Sequence, residues 1–182
     1  MLMKRRTFLK VGMATAVLLA VTRNLDRQVF AQGDDRGSLD LKKLANKDAE
    51  CIAALAPAVL KGALPDDPAG RQVAINEVVE AFDRTVAGLS PAIQKEVEEL
   101  LSLLTFSVTR RFVAGVSKPW NEATEAEVSA FLEGWRQSRL RLLQQGYQAL
   151  ARLLIACWYG NPLSWGKIDY GGPPYGQELG LQ

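Results

Sequence analysis

Few residues of this 182-residue chain could carry chemistry, because the sequence has no histidine and only two cysteines. Without histidine there is no Ser-His-Asp or Cys-His nucleophile, no imidazole acid or base, and no His-ligated zinc, copper or haem iron. Two cysteines by themselves hold neither an iron–sulfur cluster nor a structural zinc. We therefore predict no catalytic residue, no metal site and no cofactor bound by this chain. An enzyme acting through arginine and glutamate alone is the least favoured class.

The two cysteines, Cys51 and Cys157, each lie on the apolar face of a predicted helix. One interpretation is a disulfide between the first and last helices of an antiparallel bundle. Closing a loop of about 100 residues would stabilise the fold by up to about 4.7 kcal/mol. The other interpretation is a pair of buried thiols that pack as small apolar side chains. The sequence leaves both open.

Two clusters of charged residues were candidates for a site. Arginines gather on the fourth and fifth predicted helices, at Arg136, Arg139, Arg141 and Arg152. They could form an anion site or a docking face, but a solvated helix face with weak local ion pairs is the favoured interpretation. Adjacent glutamates on the third helix, at positions 96, 98 and 99, point apart and predict no acid–base pair.

The elements that must position these residues are helical, since no stretch shows convincing strand alternation. We expect helices over about 47–61 and 71–87, separated by a loop over 64–70, with Pro57 kinking or interrupting the first helix. A third helix begins at Ser90-Pro91, with the serine as its cap and the proline in its first turn.

A capping box formed by Thr124 and Glu127 begins the fourth helix. Helical patterning then runs to Trp158, either as one long helix or with a break near Ser138 or Gly146. The predicted fold is all-α, a compact bundle of four or five helices over residues 46–160.

The N-terminus has the pattern of an export signal, with basic residues followed by an apolar stretch over 11–22. Its motif resembles the twin-arginine signal, which exports folded proteins, and consists of Arg5, Arg6, Phe8, Leu9 and Lys10. A general secretory signal or an uncleaved short anchor are the alternatives. Cleavage is predicted after Ala31, which makes 1–31 the signal peptide and 32–45 a flexible lead-in.

The charge balance changes once this signal is set apart. The whole chain has 22 basic and 20 acidic residues, but residues 1–31 hold six of the basic ones and one of the acidic ones. The rest of the chain therefore has a net charge of −3. Nucleic acid is not an expected partner, because such binding depends on a basic surface.

The C-terminal segment is rich in aromatic residues, glycine and proline, with five, five and three of them between Trp158 and Gly176. We predict an extended tail over 161–182, since proline disfavours regular structure and exposed aromatic rings are costly. The tail lies either on its own bundle or on another protein. The candidate docking residues are Trp158, Tyr159, Trp165, Ile168, Tyr170, Pro173 and Tyr175.

Together, the twin-arginine-like signal, the first helix with its internal proline, the loop at Leu64-Pro65-Asp66 and the aromatic tail resemble the gluconate 2-dehydrogenase subunit 3 family. In that family a Trp, then an Ile or Gly, then an aromatic–Pro–Gly turn follow the last helix. The matching positions here are Trp165, Ile168, Tyr170, Gly171, Gly172 and Pro173.

The resemblance implies a non-catalytic small subunit of a periplasmic, flavin-dependent sugar or alcohol dehydrogenase. Such a subunit escorts a large flavoprotein of the glucose-methanol-choline type through the twin-arginine translocase and supports its maturation. FAD would then be bound by the partner, a cytochrome c subunit would be a further partner, and membrane association would arise through the complex. The alternative is a free-standing periplasmic helical protein with a binding or structural role.

Overall fold

The computed structural model describes residue 39, residues 41–107, residue 116 and residues 118–171. Six α-helices and two 3₁₀ turns lie in this part of the chain, and it contains no strand. The all-α prediction is therefore confirmed. The helices are α1 (Asn46–Val59), α2 (Pro68–Gly88), α3 (Pro91–Thr105), α4 (Glu125–Arg136), α5 (Arg141–Tyr159) and α6 (Pro162–Trp165). The 3₁₀ turns are Trp120–Glu122 and Gly166–Ile168.

Several predicted features fall outside the described residues. These are the export motif at Arg5, Arg6, Phe8, Leu9 and Lys10, the cleavage position at Ala31, and the tail residues Pro173 and Tyr175. They stay predictions from the sequence.

Helix α1 lies at the centre of the bundle and packs against α2, α3, α4, α5 and the first 3₁₀ turn. Its side chains at Cys51, Ile52, Leu55 and Ala56 have no exposed area. Other alanines of α1 are partly buried against the same core. A helix that is apolar on most sides and built from small residues suits a position surrounded by other helices, because its neighbours can approach closely.

Pro57 lies within α1 and does not interrupt the helix, contrary to one of the two predicted outcomes. The helix continues through Pro57 and ends at Val59, two residues later. Leu60 N–H still donates to Ala56 C=O at 2.8 Å, and Gly62 then turns the chain with φ of 79°. The missing N–H of Pro57 removes a single helical hydrogen bond, and the helix ends within one turn of the proline.

Helix α2 begins three residues before the predicted start. Asp67 occupies the N-cap, where its carboxylate accepts a hydrogen bond from Gly70 N–H at 2.6 Å, and Pro68 takes the first helical position. The prediction that the loop continues to Gly70 is therefore wrong, since Asp67 and Pro68 begin a helix here. At α3 the start is as expected, with Ser90 at the N-cap position and Pro91 in the first turn, although the serine side chain makes no cap hydrogen bond.

The segment 41–45 is held in place, although the sequence analysis assigned it to a flexible lead-in. The backbone N–H groups of Lys42, Lys43 and Leu44 donate to the Asp83 carboxylate at 2.7, 2.8 and 2.8 Å. Asp83 lies on α2 and is 1% exposed. This carboxylate therefore fixes the chain just before α1. We call the arrangement the Asp83 clasp.

The capping box of α4 is confirmed, with both of its hydrogen bonds between Thr124 and Glu127 present. The chain then breaks between α4 and α5, near Ser138. Gly146 lies within α5, and a Cβ atom added there would be 2.8 Å from Cζ3 of Trp135. Glycine at this position therefore serves the packing of α5 on α4 rather than a break.

This packing predicts opposite effects for two glycines. Gly146→Ala should lower the free energy of unfolding by about 1–3 kcal/mol, because the Trp135 ring must move. Gly134→Ala should raise it by up to about 1 kcal/mol, since that position on α4 is open and alanine favours helix. Urea denaturation of both variants measures the difference. Stabilisation by both would mean that Trp135 moves aside without cost.

Candidate partner-docking surface

The chain after α5 is organised by Asn161. Its side-chain oxygen accepts a hydrogen bond from Leu163 N–H at 2.9 Å, and its amide nitrogen donates to Glu77 on α2, also at 2.9 Å. Pro162 takes the first position of α6. The prediction of an extended tail from residue 161 is therefore wrong for residues 162–168. Proline was expected to prevent regular structure, but the first turn of a helix needs no N–H from it.

One hydrogen bond ties the segment after α6 to the bundle, and the burial of Ser164 shows that α6 itself packs closely. Lys167 Nζ donates to the carbonyl oxygen of Leu64 at 2.9 Å, in the loop between α1 and α2. Ser164 is 1% exposed, and its hydroxyl donates to the carbonyl of Asn161 at 2.8 Å. The first part of the tail therefore packs on its own bundle.

Trp158 is a core residue rather than an exposed docking residue, although it also lines the groove described below. The side chain is 1% exposed and lies in the core with Leu154 and Cys157 of the same helix. Its inclusion among the candidate docking residues was wrong, because the last turn of α5 directs it inward. Composition alone could not separate this tryptophan from the exposed aromatic residues that follow it.

Four other side chains remain exposed around α6, and we call them the C-terminal apolar surface. Their exposed fractions run from 40% to 56%, and they are Tyr159, Leu163, Ile168 and Tyr170. Large apolar side chains gathered in this way are typical of a site that another molecule covers. Leu163 was missed from the sequence, where its place after Pro162 read as loop.

Trp165 contacts two members of this surface, Tyr159 and Tyr170. The ring is half-buried, and its Nε1–H donates to the carbonyl of Tyr159 at 3.1 Å. Tyr170 meets it edge to face, with ring centroids 5.6 Å apart. The chain reverses at Asp169, which has a left-handed φ of 53°, so that Tyr170 N–H reaches the carbonyl of Trp165 at 3.0 Å. The exposed side chains are thus held by a fixed backbone.

An open groove of about 340 Å³ lies next to the surface. Its walls include Tyr159 and Ile168, and its cationic side chains are Lys61 and Lys167. Among the described residues that line it there is no carboxylate. The groove therefore offers a recess for an apolar side chain of a partner, with positive charge at its edge.

Both cysteines are buried thiols in the structure, with no disulfide between them. The sulfur of Cys157 lies 3.7 Å from the Thr85 hydroxyl. Burial raises the pKa of the Cys157 thiol, which disfavours the reactive thiolate. This arrangement matches the interpretation of two buried thiols that pack as apolar side chains rather than the interpretation of a disulfide.

The arginines of α4 and α5 do not converge on a common site. Arg136 pairs with Glu133 through two hydrogen bonds, of 2.7 and 2.6 Å. Arg139, Arg141 and Arg152 are exposed, and none makes an ion pair with a described residue. Among residues 39, 41–107, 116 and 118–171, no three His, Cys, Asp or Glu side chains lie close enough together to hold a metal ion.

Comparison with known proteins gives no relative: no family model, no curated protein and no solved structure matches the chain. Within the part of the chain that the structure describes, every helix is too short or too polar to cross a membrane.

Proposed function

We propose that this chain is a non-catalytic accessory subunit that escorts an exported flavin-dependent dehydrogenase. In this proposal the C-terminal apolar surface docks the flavoprotein. The observation that carries it is the gathering of four large apolar side chains, each at least 40% exposed, on a backbone fixed to the bundle.

A fixed surface favours docking for an energetic reason. Binding by a disordered tail must include the cost of ordering the tail, whereas the contacts of Asn161 and Lys167 already hold α6 in place. Tyrosine and tryptophan are favoured anchors at interfaces, since they combine a large apolar area with a polar tip. The C-terminal apolar surface has two tyrosines, supported by Trp165.

The remaining parts of the proposal come from the sequence and its resemblance to the subunit 3 family. The twin-arginine motif at Arg5 and Arg6 would take the pair to the periplasm already folded. FAD would be bound by the flavoprotein. Further partners would be the translocase and a cytochrome c subunit. The chain would associate with the membrane through this complex.

A free-standing periplasmic protein with a binding or structural role is the second candidate. It is favoured by the contacts of Lys167 with Leu64 and of Asn161 with Glu77. These contacts seat α6 on its own bundle, so the helix does not need a partner to take its position.

Co-purification tests the docking directly. The full chain is expressed with a flavoprotein of the glucose-methanol-choline type from the same genome, and the yield of complex is compared with that of the Leu163→Ser, Ile168→Ser double variant. We expect the affinity to fall at least about tenfold, because loss of a central apolar contact commonly costs more than 1 kcal/mol. The melting temperature should stay nearly unchanged, since both side chains are at least 50% exposed.

The matched control is the Val73→Ser, Ile93→Ser double variant. These side chains are 54% and 46% exposed on α2 and α3 and are not part of the C-terminal apolar surface. The control should co-purify at full yield. Full-yield co-purification of the Leu163 and Ile168 variant would contradict docking by the C-terminal apolar surface. Failure of the unchanged chain to co-purify would favour the free-standing protein.

A further inference from the structure

The two most exposed large apolar side chains of the described residues lie where the turn after α4 leads into the first residues of α5. Leu140 is 65% exposed and Leu142 is 66% exposed. They alternate with two exposed arginines, Arg139 and Arg141. We call residues 139–142 the basic-apolar turn. Neither the fold nor the proposed docking of a flavoprotein explains it.

The positive charge of this turn is not neutralised by its neighbours. The sequence has no acidic residue from Gly134 to Ile168, a stretch with five basic ones. The nearest carboxylate in sequence, Glu133, is occupied by Arg136. Arg139 and Arg141 make no ion pair with any residue that the structure describes. Both guanidinium groups are therefore available to an anion.

Leu140 has both of its backbone groups hydrogen-bonded within this region, although α5 begins without a side-chain cap. Leu140 N–H donates to the Ser138 hydroxyl at 3.1 Å, and Ser138 N–H donates to the Trp135 carbonyl at 3.3 Å. The Leu140 carbonyl accepts from Leu143 N–H at 3.0 Å and from Gln144 N–H at 3.3 Å. Paired backbone groups lower the cost of entering a poorly hydrated region.

We propose that the basic-apolar turn seats this protein on the surface of an anionic lipid bilayer. Leu140 and Leu142 would enter the interface between headgroups and acyl chains, while Arg139 and Arg141 bind headgroup phosphates. Apolar insertion combined with basic residues is how peripheral segments hold to anionic membranes. Two apolar side chains on one short turn suit a fluid interface, whereas a protein partner would need a broader complementary area.

The turn and the C-terminal apolar surface lie at opposite ends of α5. A helix of 19 residues separates them by about 27 Å at 1.5 Å per residue. Contact of the turn with a bilayer therefore leaves the other end of α5 accessible. The inference does not rest on the proposed escort function, and each can fail without the other.

A local fluorescent label tests the contact. Leu142→Cys is introduced into the full chain and labelled with bimane, which the buried Cys51 and Cys157 should not take up. Vesicles of phosphatidylcholine with phosphatidylglycerol should shift the emission to the blue, and high salt should reverse the shift. The same label at Val73→Cys should stay in water, which separates this contact from binding by any other part of the chain.

Charge variants measure the contribution of the arginines. Arg139→Gln with Arg141→Gln should weaken the binding of the labelled turn to these vesicles about thirtyfold, from the usual contribution of two basic residues at a membrane surface. Lys47→Gln with Lys95→Gln, which removes two exposed charges elsewhere, should leave it unchanged. Circular dichroism of each variant checks that the helices are intact.

Several results would overturn the proposal. One is an unchanged emission of the label at position 142 when anionic vesicles are added. Another is an equal blue shift of that emission with vesicles of phosphatidylcholine alone. Full affinity of the arginine variant is another. A shift that depends on protein concentration without vesicles would identify a second copy as the occupant. A shift only when an acidic protein is added would identify a protein partner.

Discussion

Replacing Asp83 with alanine should lower the free energy of unfolding by about 3–5 kcal/mol, the largest effect we expect from a single polar side chain. The Asp83 clasp accepts three backbone N–H groups, and its removal leaves those donors without a partner near the core. Each hydrogen bond to a charged group contributes about 1.5–3 kcal/mol. Urea denaturation measures the loss, and amide exchange at residues 42–44 should lose its protection.

The clasp also predicts a dependence on acid. Burial by itself would raise the pKa of Asp83, but the hydrogen bonds from Lys42, Leu44 and Lys43 outweigh it and the pKa lies below its ordinary value. Because the folded pKa is below the unfolded one, the stabilisation is complete above about pH 4 and is lost as the pH falls further. Asp83→Ala should lack this part of the acid transition.

Asp48 provides the matched control. Burial raises the pKa of its carboxyl despite the opposing effects of Lys47 and of the hydrogen bond from Thr105. A raised folded pKa has the opposite sign: ionised Asp48 opposes folding at neutral pH, and protonation relieves it. Asp48→Asn should therefore not weaken the protein at pH 7. An Asp83→Ala protein as stable as the Asp48→Asn protein would contradict the clasp.

Trp158→Ala should lower the free energy of unfolding by about 3–5 kcal/mol, the usual range for truncating a buried aromatic side chain. The residue is 1% exposed, so its truncation leaves a cavity in the core. Thermal and urea denaturation measure the loss. A failure of this variant to bind a partner would reflect unfolding and would not identify a contact.

Trp165→Ala is the control for this experiment. Its ring is half-buried and makes one hydrogen bond, to the carbonyl of Tyr159, so we expect a smaller loss of about 1–2 kcal/mol. The two tryptophans are seven positions apart and belong to different environments. Equal losses from both substitutions would contradict the core position of Trp158.

Local rules explain what the sequence predicted correctly. The capping box at Thr124, the start of α3 at Pro91 and the end of α2 at Gly88 each depend on residues within one turn of each other. The aromatic composition from Trp158 onward likewise named Tyr159 and Tyr170 as candidates, and both are exposed, although the sequence left open what the tail lies on. Such features need no knowledge of how the helices pack.

Packing between distant segments explains the rest. The partners of Asp83 lie about 40 positions earlier in the chain, and in the sequence it is one acidic residue among many. Gly146 resembles a helix breaker until the Trp135 ring is placed against it. Pro162 was misread for a different reason, because the same residue ends regular structure in one position and begins a helix in another.

The Asp83 clasp has a mechanical consequence. A pull on the N-terminal segment, such as translocation or a protease would apply, meets the clasp at Lys42, directly after Leu39 and Leu41, which pack on the core. The Asp83 carboxylate then transmits part of the pulling force to α2, before the force reaches the first turn of α1. If cleavage occurs after Ala31, ten residues separate the cut from this anchor, a reach of at most about 35 Å. The clasp would therefore take up part of a pull on the leader before that pull reaches α1, at the centre of the bundle.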